Sequence, residues 1–104
     1  MNKTSKTVII SPQAQEDIEN ILIYLQENWP QQVVDEFLNK LKIFFSIVSI
    51  NPKVFGYYSK NKNIRNYAVT TQNVIYYRNK KSVVEIITVF DGRQSPKKLK
   101  NILS

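Results

Sequence analysis

Fifteen lysines and arginines, with no histidine and no cysteine, set the chemistry open to this chain of 104 residues. Disulfides, thiolate nucleophiles, the usual zinc ligand sets and any mechanism built on an imidazole base are excluded. Eight Asp and Glu leave a net charge of +7, and the imbalance is uneven along the chain. Residues 1–39 hold Lys3 and Lys6 against Glu16, Asp17, Glu19, Glu27, Asp35 and Glu36. Residues 40–104 hold all the other basic groups against only Glu85 and Asp91. Such lopsidedness favours an acidic partner, either a nucleic acid backbone or an acidic protein. The basic, proline-stopped exit Asp91-Gly92-Arg93-Gln94-Ser95-Pro96 is the expected working edge.

That exit must be held by the three strand-like runs before it. Ile64 to Val69 is rich in β-branched and aromatic side chains, and Thr71-Gln72-Asn73 offers turn-formers. Val74-Ile75-Tyr76-Tyr77-Arg78 should double back antiparallel, and Asn79-Lys80-Lys81-Ser82 reads as a second hairpin connection. Val83 to Phe90 is apolar except for Glu85 and Thr88, which suits an inner strand covered on both faces.

Upstream, Thr7-Val8-Ile9-Ile10 reads as a short first strand. Ser11-Pro12 then supplies an N-cap and a proline suited to the first helical position. Ala14, Ile18, Ile21, Leu22 and Leu25 form one apolar stripe, with Glu16 and Asp17 near the positive end of the helix dipole. Asn28-Trp29-Pro30 breaks the helix, and Trp29 is expected to pack at the corner. A second helix from about Pro30 to Ile50 repeats Val34, Phe37, Leu38, Leu41, Phe45 and Val48, and should fold back on the first as a hairpin. Phe44, Ile47 and Ile50 widen this stripe beyond the need of one partner, leaving it to serve either as ordinary core or as contact with another chain. Asn51-Pro52 ends the helix, and Lys53 to Asn63 reads as a polar loop.

The order strand, helix, helix, three strands predicts one α+β domain over residues 1–104. Its fold is β-α-α-β-β-β, with the helical hairpin on one side of a largely antiparallel four-stranded sheet. Met1 to Lys6 carries no signal-peptide pattern, no segment reaches the roughly 20 apolar residues of a membrane helix, and a cytoplasmic setting is expected. Tyr57, Tyr58, Tyr67, Tyr76 and Tyr77 beside Lys60, Lys62 and Arg78 raise base stacking as a further reading. Strand alternation opposes it, because Tyr76 and Tyr77 must point to opposite faces.

Taken in order, these residues resemble the RelE/ParE family of bacterial type II toxins over nearly the whole chain. The resemblance rests on Ser11-Pro12, the Ala14/Asp17/Ile18 helix with Tyr24, and Trp29 at the inter-helix corner with Phe37 and Leu41 beyond it. Asn51-Pro52 through Gly56, Ile64-Arg65, Val74-Ile75-Tyr76-Tyr77 and Val84-Glu85-Ile86-Ile87 follow in family order. Val89-Phe90-Asp91-Gly92-Arg93-Gln94-Ser95-Pro96 is the most specific piece, since the family commonly ends its last strand with Arg-Gln-x-Pro or Arg-Arg-x-Pro. The resemblance implies a growth-inhibiting toxin, with a role such as plasmid stabilisation. A cognate antitoxin that is often acidic where it binds would restrain it, in a dimer or heterotetramer, with no metal or cofactor.

The family divides by mechanism. RelE-like members cut messenger RNA on the ribosome with lysines and arginines, often with a tyrosine near the C-terminus. Here the expected basic positions fall at or near Tyr67, Val69, Thr70 and Val74, and the tyrosine position falls at Leu99, while Arg93 still matches. One transition-state donor can be worth about 2.7 to 4 kcal/mol, so losing most of them should cost several orders of magnitude in rate. The resemblance is therefore nearer to ParE-like members, which poison DNA gyrase by protein contact. It implies a target-binding surface of Arg65, Arg78, Arg93, Lys97 and Lys98, with Phe44, Ile47 and Ile50 toward the antitoxin. The competing reading is a metal-independent messenger endonuclease using Arg65, Arg78 and Arg93. For each residue a structural role stays open: Arg65 pairing with Glu85, Arg93 anchoring the C-terminal turn through backbone carbonyls, and Lys97, Lys98 and Lys100 as plain solvent-exposed groups.

Overall fold

A computed structural model describes residues 5–104. Expectations for Met1 to Thr4, including the missing leader pattern, lie outside the described residues. The elements are β1 (Thr7–Ile10), α1 (Pro12–Asn28), α2 (Gln31–Ile50), β2 (Tyr57–Ser59), β3 (Ile64–Ala68), β4 (Asn73–Asn79), β5 (Val83–Asp91) and α3 (Pro96–Leu103). They form one sheet of order β1-β5-β4-β3-β2, antiparallel except for the parallel β1–β5 pair. The α+β class and the helical hairpin agree with the sequence; the sheet has five strands, not four, and a third helix follows it.

Both differences have local causes. β2 lies inside the expected polar loop Lys53 to Asn63, and its pairing with β3 is irregular between Tyr57 and Ser59. A strand of three residues is too short to show alternation. Asn63 closes the β2–β3 turn with φ of 56°, a left-handed conformation that asparagine tolerates. At the other end, Pro96 starts a helix instead of stopping a tail. Ser95 caps α3 by accepting from the Lys97 amide at 3.2 Å, with Pro96 in the first turn. This is the same Ser-Pro signal that opens α1. An eight-residue helix is too short to hold itself, so burial of Leu99 and Leu103 against Ile64, Tyr76, Ile87 and Phe90 must fix it.

The main core lies on the opposite face of the sheet. Phe37, Leu41, Phe44 and Val48 of α2 pack with Ala14 of α1 against Ile75, Tyr77, Val84, Ile86 and Val89. The buried positions Val34, Phe37, Leu41, Phe44 and Val48 alternate steps of three and four, so Phe44 belongs to the core stripe while Leu38 is exposed. Trp29 does not pack into the corner: its side chain is 54% exposed over a shallow groove shared with Tyr24, Val33 and Phe37.

Two polar ties fix the helices to the central strand. Ser11 donates its amide to the Ile86 carbonyl at 3.0 Å and its hydroxyl to the Ile87 carbonyl at 2.7 Å, while its Oγ accepts from the Ala14 amide at 3.0 Å. Nearly two turns on, Asp17 accepts from the Thr88 hydroxyl, from the Val89 amide at 3.0 Å and from Gln13 at 2.9 Å. Asp17→Ala should therefore destabilise the fold by about 1.5 to 3 kcal/mol, the range for a hydrogen bond to a charged group. Thermal unfolding by circular dichroism would read this as a fall of roughly 6 °C or more in the midpoint.

Tyr76 and Tyr77 occupy opposite faces, as alternation requires, and both are buried. Burial pushes both phenols above their usual value; at Tyr77 the nearby Arg65 charge and a backbone hydrogen bond partly oppose it. The folded chain thus keeps these protons to higher pH than the unfolded chain. The stability they contribute is full below about pH 10 and is lost as pH rises through the raised values. Tyr77→Phe should flatten this alkaline loss in denaturant titrations. At neutral pH it should cost about 1 kcal/mol, because the hydroxyl donates to the Pro52 carbonyl at 2.9 Å.

Candidate functional site

The basic residues expected to form one surface are divided among three places. Arg93 follows β5 on the turn that leads to α3, and Lys97 and Lys98 lie on the exposed first turn of that helix. These three form an open cationic edge. Asp91 pairs with Asn73 at one end of β4, whereas Arg78 pairs with Glu85 near the other. Five residues of strand separate them by about 17 Å.

Arg65 faces inward. Its guanidinium donates to the Lys53 and Phe55 carbonyls at 3.2 and 2.7 Å and lies 4.0 Å over the Tyr57 ring. The residue is only 9% exposed, so it staples the chain after α2 onto β3 and offers little to a target. Its expected alternative partner, Glu85, instead makes ion pairs with Lys80 at 3.2 Å and Arg78 at 3.9 Å. Arg78 also donates to the Lys62 carbonyl at 3.2 Å.

At the open edge, Arg93 is held by a carboxylate and not by backbone carbonyls. Its Nε and Nη2 donate to Asp91 at 3.0 and 2.7 Å, and its amide donates to the same carboxylate at 2.8 Å. Hydrogen bonding to Arg93 holds the Asp91 carboxyl below its ordinary value, with burial opposing, and the same contact raises Arg93. The pair is thus complete above about pH 4 and is lost as pH falls through the lowered Asp91 value. With 59% of its side chain exposed, Arg93 is aimed but available.

Beside this edge runs a groove of about 390 Å³ between α1, the end of β5 and α3. Tyr24, Gln72, Arg93 and Lys98 line it together with Glu16, Asp17 and Asp91. Three carboxylates make it a mixed-charge cleft, poorly suited to a phosphate. Among the described residues, no three His, Cys, Asp or Glu side chains gather as a metal would require.

The three residues assigned to an antitoxin surface also separate. Phe44 is buried, with its ring stacked on Phe55 and Tyr67 and edge-on to Tyr77. Ile47 and Ile50 are exposed, and Ile43 joins them. Ile43, Phe44, Ile47 and Tyr67 border a shallow apolar groove of about 360 Å³ with Lys40 at its rim. Ile43 was legible in the sequence, since it lies four residues before Ile47 on the same helix.

The model of the ParE toxin of type II toxin–antitoxin systems, parDE, matches residues 8–96. The chain belongs to this ParE toxin family. No curated protein sequence matches it significantly. Solved structures share the fold. A chain of the chromosomal ParDE toxin–antitoxin system from P. aeruginosa superposes with a TM-score of 0.68 at 10% identity, covering 84% of this chain and 96% of that one. The YoeB dimer from Staphylococcus aureus gives 0.60 at 16% identity, covering 82% and 94%. A heterotetrameric YoeB-YefM toxin–antitoxin complex from the same organism gives 0.57 at 17%, covering 81% and 93%. The matched family region spans β1 to the start of α3, so it includes the Arg93 turn. No described helix is long and apolar enough to cross a membrane.

Two substitutions separate structural from surface arginines in this ParE-family fold. Arg65→Ala should cost about 2 kcal/mol or more, because it leaves two carbonyls without their donor. Arg93→Ala removes only an exposed ion pair and should cost far less. Chemical denaturation of both variants checks the contrast.

Proposed function

We propose that residues 1–104 act as one cytoplasmic toxin domain that arrests growth by gripping a target protein without catalysis, with DNA gyrase as the first candidate. A cognate antitoxin neutralises it in a heterocomplex by covering Ile47 and Ile50, the cationic edge, or both. The observation that carries this reading is the exposed set Arg93, Lys97 and Lys98. It sits on the turn after β5 and on α3, between elements fixed by packing, and no other expected target residue is equally free. The family match supplies the toxin class. The toxin–antitoxin complexes among the structural neighbours support the partner.

Messenger cleavage in the RelE manner is the competing reading. The groove beside Arg93 offers room for a nucleotide, but Glu16, Asp17 and Asp91 on its walls oppose phosphate binding. Arg65, one of the three residues such a nuclease would use, is committed to backbone carbonyls.

Purified toxin added to a gyrase supercoiling assay should inhibit it, while primer extension on translating ribosomes should show no new message ends. Codon-spaced cleavage with normal supercoiling would overturn the proposal. Arg93→Ala should raise the inhibitory concentration by about tenfold or more, the loss expected of an interface anchor worth at least about 1.4 kcal/mol, with the fold retained. Inhibition by that variant equal to the wild type would remove Arg93 from the interface.

A further inference from the structure

The end of the sheet opposite Arg93 gathers a second set of cations. Lys6 Nζ donates to the Asn79 side-chain oxygen at 2.6 Å and to the Lys80 carbonyl at 2.7 Å, across 73 and 74 positions of sequence. The Asn63 side chain donates to the Asn79 carbonyl at 3.0 Å, and Arg78 Nε donates to the Lys62 carbonyl at 3.2 Å. These bonds draw three segments together: the entry to β1, the β2–β3 turn and the β4–β5 hairpin. Lys6, Lys60, Lys62, Arg78, Lys80 and Lys81 consequently share one end of the molecule. Glu85 is the one carboxylate among these segments, and its two ion pairs engage Lys80 and Arg78. Lys60, Lys62 and Lys81 are exposed and make no side-chain hydrogen bond or ion pair among the described residues.

From this convergence we propose that the hairpin end binds the phosphate backbone of double-stranded DNA. Clustered like charges repel one another, and an external polyanion is the partner that relieves them. The composition of the turns argues against a protein partner. Lys60-Asn61-Lys62-Asn63 and Arg78-Asn79-Lys80-Lys81-Ser82 contain no apolar side chain, so they lack the aromatic or aliphatic anchors on which protein interfaces depend. Flexible lysines acting as point charges suit phosphates, and amide side chains between them supply neutral donors of the kind that also contact DNA backbones.

The turns themselves argue for duplex over single strand. Tyr76 and Tyr77 are buried, while Tyr57, Tyr58 and Tyr67 stay partly exposed, Tyr57 with Arg65 over its ring, Tyr58 edge-on to Tyr76 and Tyr67 stacked with Phe44 and Phe55. None of these rings lies in the two turns that carry the lysines, which therefore hold no platform for unpaired bases. Phosphate contact is what is left, and a duplex presents it at one charge per ~1.7 Å of axis. The surface is independent of the target interface proposed above, which lies at the other end of β4.

Fluorescence anisotropy of the full chain with a labelled duplex of roughly 20 base pairs, titrated from about 50 to about 200 mM salt, tests the proposal. The triple variant Lys60→Ala/Lys62→Ala/Lys81→Ala should bind at least tenfold more weakly than the wild type. Its dependence of log affinity on log salt should be shallower by about 2.7, or ~0.9 for each phosphate that a lysine no longer neutralises. The triple change to arginine should restore binding, and unchanged melting of both variants shows that the loss is not unfolding. Lys97→Ala/Lys98→Ala should bind within about twofold of the wild type, since it removes charge from the other end. Four results would each overturn the proposal: no duplex binding at the lowest salt, equal losses in the two alanine variants, tighter binding to the single strand of the same sequence, or displacement of the duplex by polyglutamate at equal charge concentration.

Discussion

Burial of β5 on both faces is the constraint on which the structure turns. Val84, Ile86 and Val89 belong to the core beneath α1 and α2, while Ile87 and Phe90 belong to the smaller core beneath α3. The strand also has neighbours on both edges, β1 and β4. A register shift between the partners of Tyr76 and Tyr77 accommodates one extra β5 residue. Such bulges re-aim the side chains that follow them, and Thr88 and Val89, just beyond this one, are the residues that meet Asp17. The helices carry the chain from one edge of the sheet to the other, and the meander β2 to β5 returns it to lie beside β1.

What β5 holds in place is the Arg93 edge. Asp91 ends the strand, orients the guanidinium with two of its nitrogens and is itself fixed by pairing with Asn73. Immediately beyond, Ser95 starts α3, whose apolar side seats Lys97 and Lys98 outward by burying Leu99 and Leu103. A short helix with cations on its exposed side is thus given a defined position by a strand that cannot shift without opening both cores. Such rigidity suits recognition, since little side-chain or loop ordering remains to be done on binding.

The molecule's positive charge is therefore an arrangement of separated groups, not one surface. One basic group, Arg65, is consumed in holding the chain after α2. A second set stands at the Arg93 edge, and a third is gathered at the hairpin end by Lys6, Asn63 and Arg78. Carboxylates concentrate along α1, and Glu16 and Asp17 share the groove beside Arg93 and Lys98.

The sequence by itself determined the class and most elements, because those depend on local signals. Ser11-Pro12, the break at Trp29-Pro30, the stop at Asn51-Pro52, both hairpin turns and the inner character of Val83 to Phe90 can all be read without a partner. It also placed Arg93 correctly at the end of the last strand. Only the tertiary structure decided whether Ser95-Pro96 opened a helix, because eight residues gain stability only by docking Leu99 and Leu103. It alone showed that Phe44 turns inward while Ile47 and Ile50 stay outside, a matter of helix rotation against the sheet. The fate of Arg65 was equally illegible. Nothing in the pattern around it says that carbonyls ten and twelve residues away would accept its hydrogen bonds, and only folding brings them within reach of a buried guanidinium.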